Sequence, residues 1–188
     1  MKIGLFFGSF NPIHVGHLII ADTMQDQTDL DEVWFIVSPQ NPLKSRKSLL
    51  HEFDRLKMVE LATADHFKFK VKDTEFHMPR PSYTIDTLTY LSEQYPAHDF
   101  SLILGGDNLN HLHKWKNSEE LLNQYKIYVY PRPGKSKDLN HKNIHYVEAP
   151  LLDISATFIR KTIKKGGSVK YLLHPHVSDY IRDKKFFI

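Results

Sequence analysis

Short, uninterrupted apolar runs separated by stretches of helical periodicity set the frame of the chain. Ile3-Gly4-Leu5-Phe6-Phe7, Val33-Trp34-Phe35-Ile36-Val37, Phe100-Ser101-Leu102-Ile103-Leu104, Ile127-Tyr128-Val129-Tyr130 and Ile144-His145-Tyr146-Val147 read as strands, most of them too continuously apolar to have a wet face, as in a parallel sheet covered on both sides. Phe67, Phe69 and Val71 alternate with lysines, which predicts a half-exposed strand. Between these runs the apolar spacing turns helical. It does so from Leu18 to Met24, from Phe53 to Ala64, and from Tyr83 to Leu91 with Ser82 as the predicted cap. It recurs through Leu109, Leu112 and Trp115, over Glu119–Gln124, over Ser155–Lys165 with Gly166-Gly167 as a stop, and over Pro175–Lys184. Strands alternating with helices predict an α/β fold, a Rossmann-like doubly wound and mostly parallel sheet with helices on both faces. Sites of such sheets gather where strands end and helices begin.

Composition changes this picture little. The 188 residues suffice for one domain, 1–188, with a small C-terminal helical part from about 154, burying roughly 70% of the unfolded surface. A formal charge of +3 is too weak to argue for a nucleic-acid surface. The complete lack of cysteine excludes disulfides, thiolate catalysis and zinc–thiolate sites and is compatible with a cytoplasmic protein. No apolar run approaches the 18 or so residues of a membrane span, and the five-residue run at the start lacks a cleavage pattern. The sequence therefore predicts no membrane partner and no nucleic-acid partner, and leaves a homo-oligomer open. The polar, basic stretch Gly134–Asn143 reads as a mobile surface loop.

Chemistry concentrates at the end of the first strand. Gly8-Ser9-Phe10-Asn11-Pro12-Ile13-His14-Val15-Gly16-His17 leads from a strand through a tight turn into a helix. A helix N-terminus offers unpaired N–H groups and a positive dipole end, hence a ready anion site. His14 and His17 could be structural or half of a metal site, but only Asp22 lies near enough in sequence to add a carboxylate. Their setting favours hydrogen bonds to phosphate oxygens, and no metal-binding residues are assigned. Far downstream, Ser155 can cap a second helix, with Arg160 one and a half turns in. Lys164 and Lys165 read as ordinary complements to that helix's C-terminal end.

The ten residues from Gly8 to His17 resemble the G-x-F-[DN]-P-x-H-x-G-H motif of the HxGH nucleotidyltransferase superfamily, and Ile154-Ser155-Ala156-Thr157-Phe158-Ile159-Arg160 resembles its I-S-x-T-x-[IV]-R motif. Asn41-Pro42-Leu43-Lys44, Ser82–Leu88, Gly105-Gly106-Asp107, Trp115 and Arg132-Pro133-Gly134 fall in the order seen in bacterial nicotinate mononucleotide adenylyltransferases. That resemblance implies adenylyl transfer from ATP, with Mg²⁺, to nicotinate mononucleotide. It implies catalytic His14, His17 and Arg160, and an ATP site comprising these with Gly8, Ser9, Phe10, Gly106, Asp107, Ile154, Ser155 and Thr157. It further implies a mononucleotide site of Asn41, Lys44, Tyr83, Thr84, Trp115 and Arg132, in which backbone near Trp115 holds the nicotinate carboxylate. Phe7 replaces a glycine of many members and Asn11 an aspartate. A pantetheine-phosphate adenylyltransferase, which shares both terminal motifs, is the alternative within the superfamily; a non-catalytic nucleotide- or RNA-binding module is the alternative outside it.

Overall fold

The computed structural model describes residues 1–39, 49–131, 139–150 and 152–188. Six strands, β1 (Lys2–Gly8), β2 (Glu32–Val37), β3 (Phe69–Lys72), β4 (Asp99–Gly105), β5 (Lys126–Tyr130) and β6 (Ile144–Tyr146), form one sheet in the order β3-β2-β1-β4-β5-β6. Every neighbouring pair is parallel. The sheet is thus wholly rather than mostly parallel, and its order reverses between β1 and β4, the place where ligands bind in such sheets.

The alternation of side chains divides the core in two. Phe6, Val33, Phe35, Val37, Ile103, Tyr128 and Tyr130 face a layer built from α1 (Val15–Gln27), α2 (Glu52–Thr63), α6 (Ala156–Lys164) and α7 (Pro175–Asp183). Ile3, Leu5, Trp34, Ile36, Phe100, Leu102, Leu104, Ile127 and Val129 face the other, built from α3 (Thr84–Gln94), the short α4 (Gly106–Leu109) and α5 (Ser118–Gln124). The continuous apolar runs are explained: both faces of each central strand are dry. Ile159, Val177 and Ile181 bury α6 and α7 in the same core as α1 and α2. The hydroxyl of Tyr180 on α7 also donates to Asp54 on α2 at 2.9 Å.

Three expectations are adjusted. β3 begins at Phe69, and Phe67 stands 79% exposed before it, because the chain is still turning there, with the Phe69 N–H donating to the His66 carbonyl at 3.0 Å. The stretch through Leu109, Leu112 and Trp115 is two pieces, α4 and a 3₁₀ turn over Leu112–Lys114. Ser82 does not cap α3: Tyr83 occupies the cap position in extended geometry, and Ser82 lies buried one residue earlier. No helix among the described residues is long and apolar enough to cross a membrane. The stretch 134–138 of the expected surface loop lies outside the described residues.

Candidate active site

The turn after β1 is shaped by two glycines. A Cβ on Gly8 would come within 2.6 Å of the Phe10 ring, so only glycine lets that ring fold back into the core, where it meets Phe6, Phe35 and His17 edge-on or tilted. Phe10 itself takes a left-handed φ of 45°, which reverses the chain and hands it to α1. A Cβ on Gly16 would lie 3.1 Å from Nδ1 of His14. The glycine between the histidines thus makes room for the first of them. The two rings stack with centroids 3.7 Å apart, and Nδ1 of His17 accepts the backbone N–H of His14 at 3.2 Å. An Nδ1 that accepts carries no proton, so the ring's N–H donor is Nε2.

α6 brings the second motif to the same place. Ser155 caps the helix, its Oγ accepting the Phe158 N–H at 3.2 Å. Arg160 donates to the carbonyl of Asn11 at 2.8 Å, across 149 positions of sequence, and to Oγ1 of Thr157 at 3.2 Å. Burial lowers its pKa from the usual 12.5, but a guanidinium remains charged at any physiological pH. Neither α1 nor α6 carries an acidic residue in its first turn, so neither positive dipole end is offset by a carboxylate of its own first turn.

A cavity of about 440 Å³ lies between these helix starts and the ends of β1, β4 and β5. Gly8, Ser9, Phe10, His14, His17, Asp107, Ile154, Ser155, Thr157 and Arg160 all line it. Gly106 is not among its lining residues; its neighbour Gly105 is. A Cβ on Gly105 would lie 2.7 Å from Oδ1 of Asp107 and 2.9 Å from the Tyr130 hydroxyl, so this glycine seats both side chains.

A second cavity, of about 350 Å³, opens on the α3 side and takes in Tyr83, Thr84 and Trp115. Phe7, Gly8, Ser9 and Asn108 line both cavities. The N–H of Trp115 is already given to the Leu112 carbonyl at 2.9 Å, so it is not a spare donor in this conformation. Glu75 lies at the buried edge of this cavity, 2% exposed, and accepts from the Thr87 hydroxyl at 2.9 Å. Burial raises its pKa above the ordinary 4.5, while the Ser38 and Thr87 hydroxyls offset part of that shift. Asn41, Lys44 and Arg132 lie outside the described residues.

Sequence reasoning did not single out Asn108, Tyr130, Glu75 or Arg55 as functional. Tyr130 ends β5, so the rule that sites collect at strand ends could have found it; Asn108 and Glu75 carry no such signal.

A cytidylyltransferase-like family model matches residues 5–162. A protein of Cytophaga hutchinsonii named "probable nicotinate-nucleotide adenylyltransferase" is 57% identical over 100% of this chain and 98% of its own. The chain belongs to the nicotinate-nucleotide adenylyltransferase family. Similarly named relatives from Flavobacterium johnsoniae and Bacteroides thetaiotaomicron are 52% and 46% identical, over 100% and 97% of this chain and 99% and 92% of theirs. The fold is that of a Plasmodium falciparum nicotinic acid mononucleotide adenylyltransferase complexed with NaAD, with a TM-score of 0.85 at 23% identity, covering 99% of this chain and 97% of that one. The family's two terminal motifs thus meet, in this chain, across one hydrogen bond from Arg160 to Asn11.

Proposed function

We propose that this protein transfers the adenylyl group of ATP to nicotinate mononucleotide, giving nicotinate adenine dinucleotide and pyrophosphate. One observation carries the geometry: a phosphate-type cavity and an acceptor-type cavity share Phe7, Gly8 and Ser9, which is where a phosphate bridging two nucleotides belongs. ATP occupies the first cavity, with its triphosphate at the starts of α1 and α6, and the mononucleotide occupies the second. The acceptor phosphate, whose second pKa is about 6 by analogy with phosphorylated side chains, attacks as a dianion. Its oxygen forms a bond to the α-phosphorus of ATP as the bond from that phosphorus to the bridging oxygen of the β-phosphate breaks. No protein nucleophile and no proton transfer are needed.

Catalysis is then placement and charge stabilisation. His14 and His17 donate to oxygens of the α-phosphate and the departing pyrophosphate, while Arg160, Ser155 and Thr157 hold the β- and γ-phosphates. Magnesium enters with ATP as part of the substrate. Among the described residues there is no group of three or more His, Asp or Glu able to hold a metal ion.

The test is pyrophosphate release with ATP, Mg²⁺ and a panel of acceptors. Nicotinate mononucleotide should be used, and phosphopantetheine should not; the reverse result overturns the assignment. The amide analogue, nicotinamide mononucleotide, should show a lower kcat/KM than the acid, since Lys114 lines the acceptor cavity, whereas Lys116 beside it is paired with Asp86 at 2.8 Å; equal values would reject carboxylate selection. His17→Ala should abolish turnover while ATP still binds.

A further inference from the structure

Arg55 is fully buried, at 0% exposure, yet lines neither cavity. Its partners are carbonyls from three separate stretches of chain. NH1 donates to Ser9 and Ser38, each at 2.7 Å, NH2 to Pro39 at 2.9 Å and Nε to Leu50 at 3.0 Å. No carboxylate pairs with it among the described residues; the nearby Glu52 is taken by Arg80 at 2.8 Å. Burial pulls its pKa down to about 10, which leaves it charged. A buried cation held by peptide dipoles, with the Glu52 carboxylate acting on it without a direct contact, is an expensive way to fill space. An apolar side chain would fill the same volume more cheaply, so the guanidinium needs a reason.

The peptide joining Ser9 to Phe10 supplies one. In a trans peptide the C=O and the N–H point in opposite directions. With the Ser9 carbonyl drawn inward to the guanidinium, the Phe10 N–H points the opposite way, out of the buried side of a turn whose Ser9 lines both cavities and whose Phe10 lines the first. The same network holds the next residue. Leu50, whose carbonyl is bound by Arg55, gives its N–H to Oδ1 of Asn11 at 3.1 Å, and the Asn11 carbonyl is bound by Arg160 at 2.8 Å. Two arginines therefore brace the Ser9–Asn11 turn, one from within and one from the cavity.

We propose that Arg55 is a positioning residue for adenylyl transfer: it fixes the orientation of the Ser9–Phe10 peptide so that its N–H serves as a phosphate donor, without itself touching substrate. The proposal rests on the assignment of the first cavity to ATP. Lysine cannot replace it, because a point charge with three donors on a flexible stem does not span four carbonyls in a fixed fork.

The experiment compares Arg55→Lys and Arg55→Gln with Val59→Ala, a cavity-forming change on the same helix at a fully buried core position. Binding of α,β-methylene-ATP is measured by calorimetry well below each melting temperature, beside kcat and KM. Both Arg55 variants should bind the analogue about tenfold more weakly or worse, the value of one charged hydrogen bond. Val59→Ala, with a comparable fall in melting temperature, should bind within twofold of wild type. A smaller loss in Arg55→Lys, or an equal loss in Val59→Ala, overturns the proposal. So does failure of both Arg55 variants to fold while Val59→Ala folds, since the role is then structural. Absence of wild-type turnover with nicotinate mononucleotide would instead count against the acceptor assignment, leaving the binding comparison intact.

Discussion

Gly16→Ala should separate stability from activity. The position lies in the first turn of α1, where alanine is worth up to about 1 kcal/mol over glycine in helix propensity. For a chain of this size that corresponds to roughly 2–4 °C in melting temperature. Against this, the new Cβ would sit 3.1 Å from Nδ1 and 3.2 Å from Cε1 of His14, a few tenths of an ångström inside ordinary contact. The His14 ring is 5% exposed and stacked on His17 at 3.7 Å, so it can yield only by shifting the pair. A displacement of that size is felt more by chemistry than by folding: misplacement by about 1 Å costs on the order of 100-fold in rate, so a third of that suggests about fivefold. The expected variant melts within about 3 °C of wild type and loses about fivefold in kcat, read by pyrophosphate release at saturating ATP and nicotinate mononucleotide. A variant with wild-type kcat would refute the claim that Gly16 exists to seat His14. One that melts 10 °C lower would refute the claim that the space is local.

Two further outcomes follow from the geometry. Arg160→Lys removes the planar fork that joins Asn11 to Thr157; steady-state kinetics should show kcat/KM for ATP lower by roughly 10- to 100-fold, with little change in thermal stability because the side chain is only half-buried. Glu75→Gln should stabilise the protein at pH 7. Burial raises the folded-state pKa of Glu75 above its ordinary 4.5, so the wild-type carboxyl contributes its full stability below that value and loses it as the pH rises through the folded pKa. Denaturant melts at pH 7 and pH 4 should show the variant's advantage only at the higher pH; a less stable variant at pH 7 would reverse the sign.

The sheet was legible because each central strand is buried on both faces, which writes itself as an unbroken apolar run. Both motifs that line the first cavity were legible because their glycine, histidine and hydroxyl residues serve local turns and helix starts. The second helix buries Met58, Val59 and Ala62 as its apolar spacing predicts, but the stripe differs at its start. Phe53 looks like the first residue of its buried stripe and is 59% exposed, whereas Arg55, in step with Met58, Val59 and Ala62, is buried. An arginine in an apolar stripe was the available signal, and it marks a residue whose partners are backbone carbonyls, invisible to any pattern of side chains. Glu75 escaped for a similar reason: its role depends on how the 3₁₀ turn over Thr74–His77 packs near Thr87 on α3, which no local spacing encodes.

The hydrogen bond from Arg160 to Asn11 also sets an order of events during synthesis. A growing chain can pair β1 with β2 and β4 and form the first turn early, but it presents half of the proposed triphosphate site until residues past 160 have left the ribosome. On the proposed assignment, nascent or truncated chains hold a cradle without its clasp, and nucleotide binding becomes a property of the finished fold.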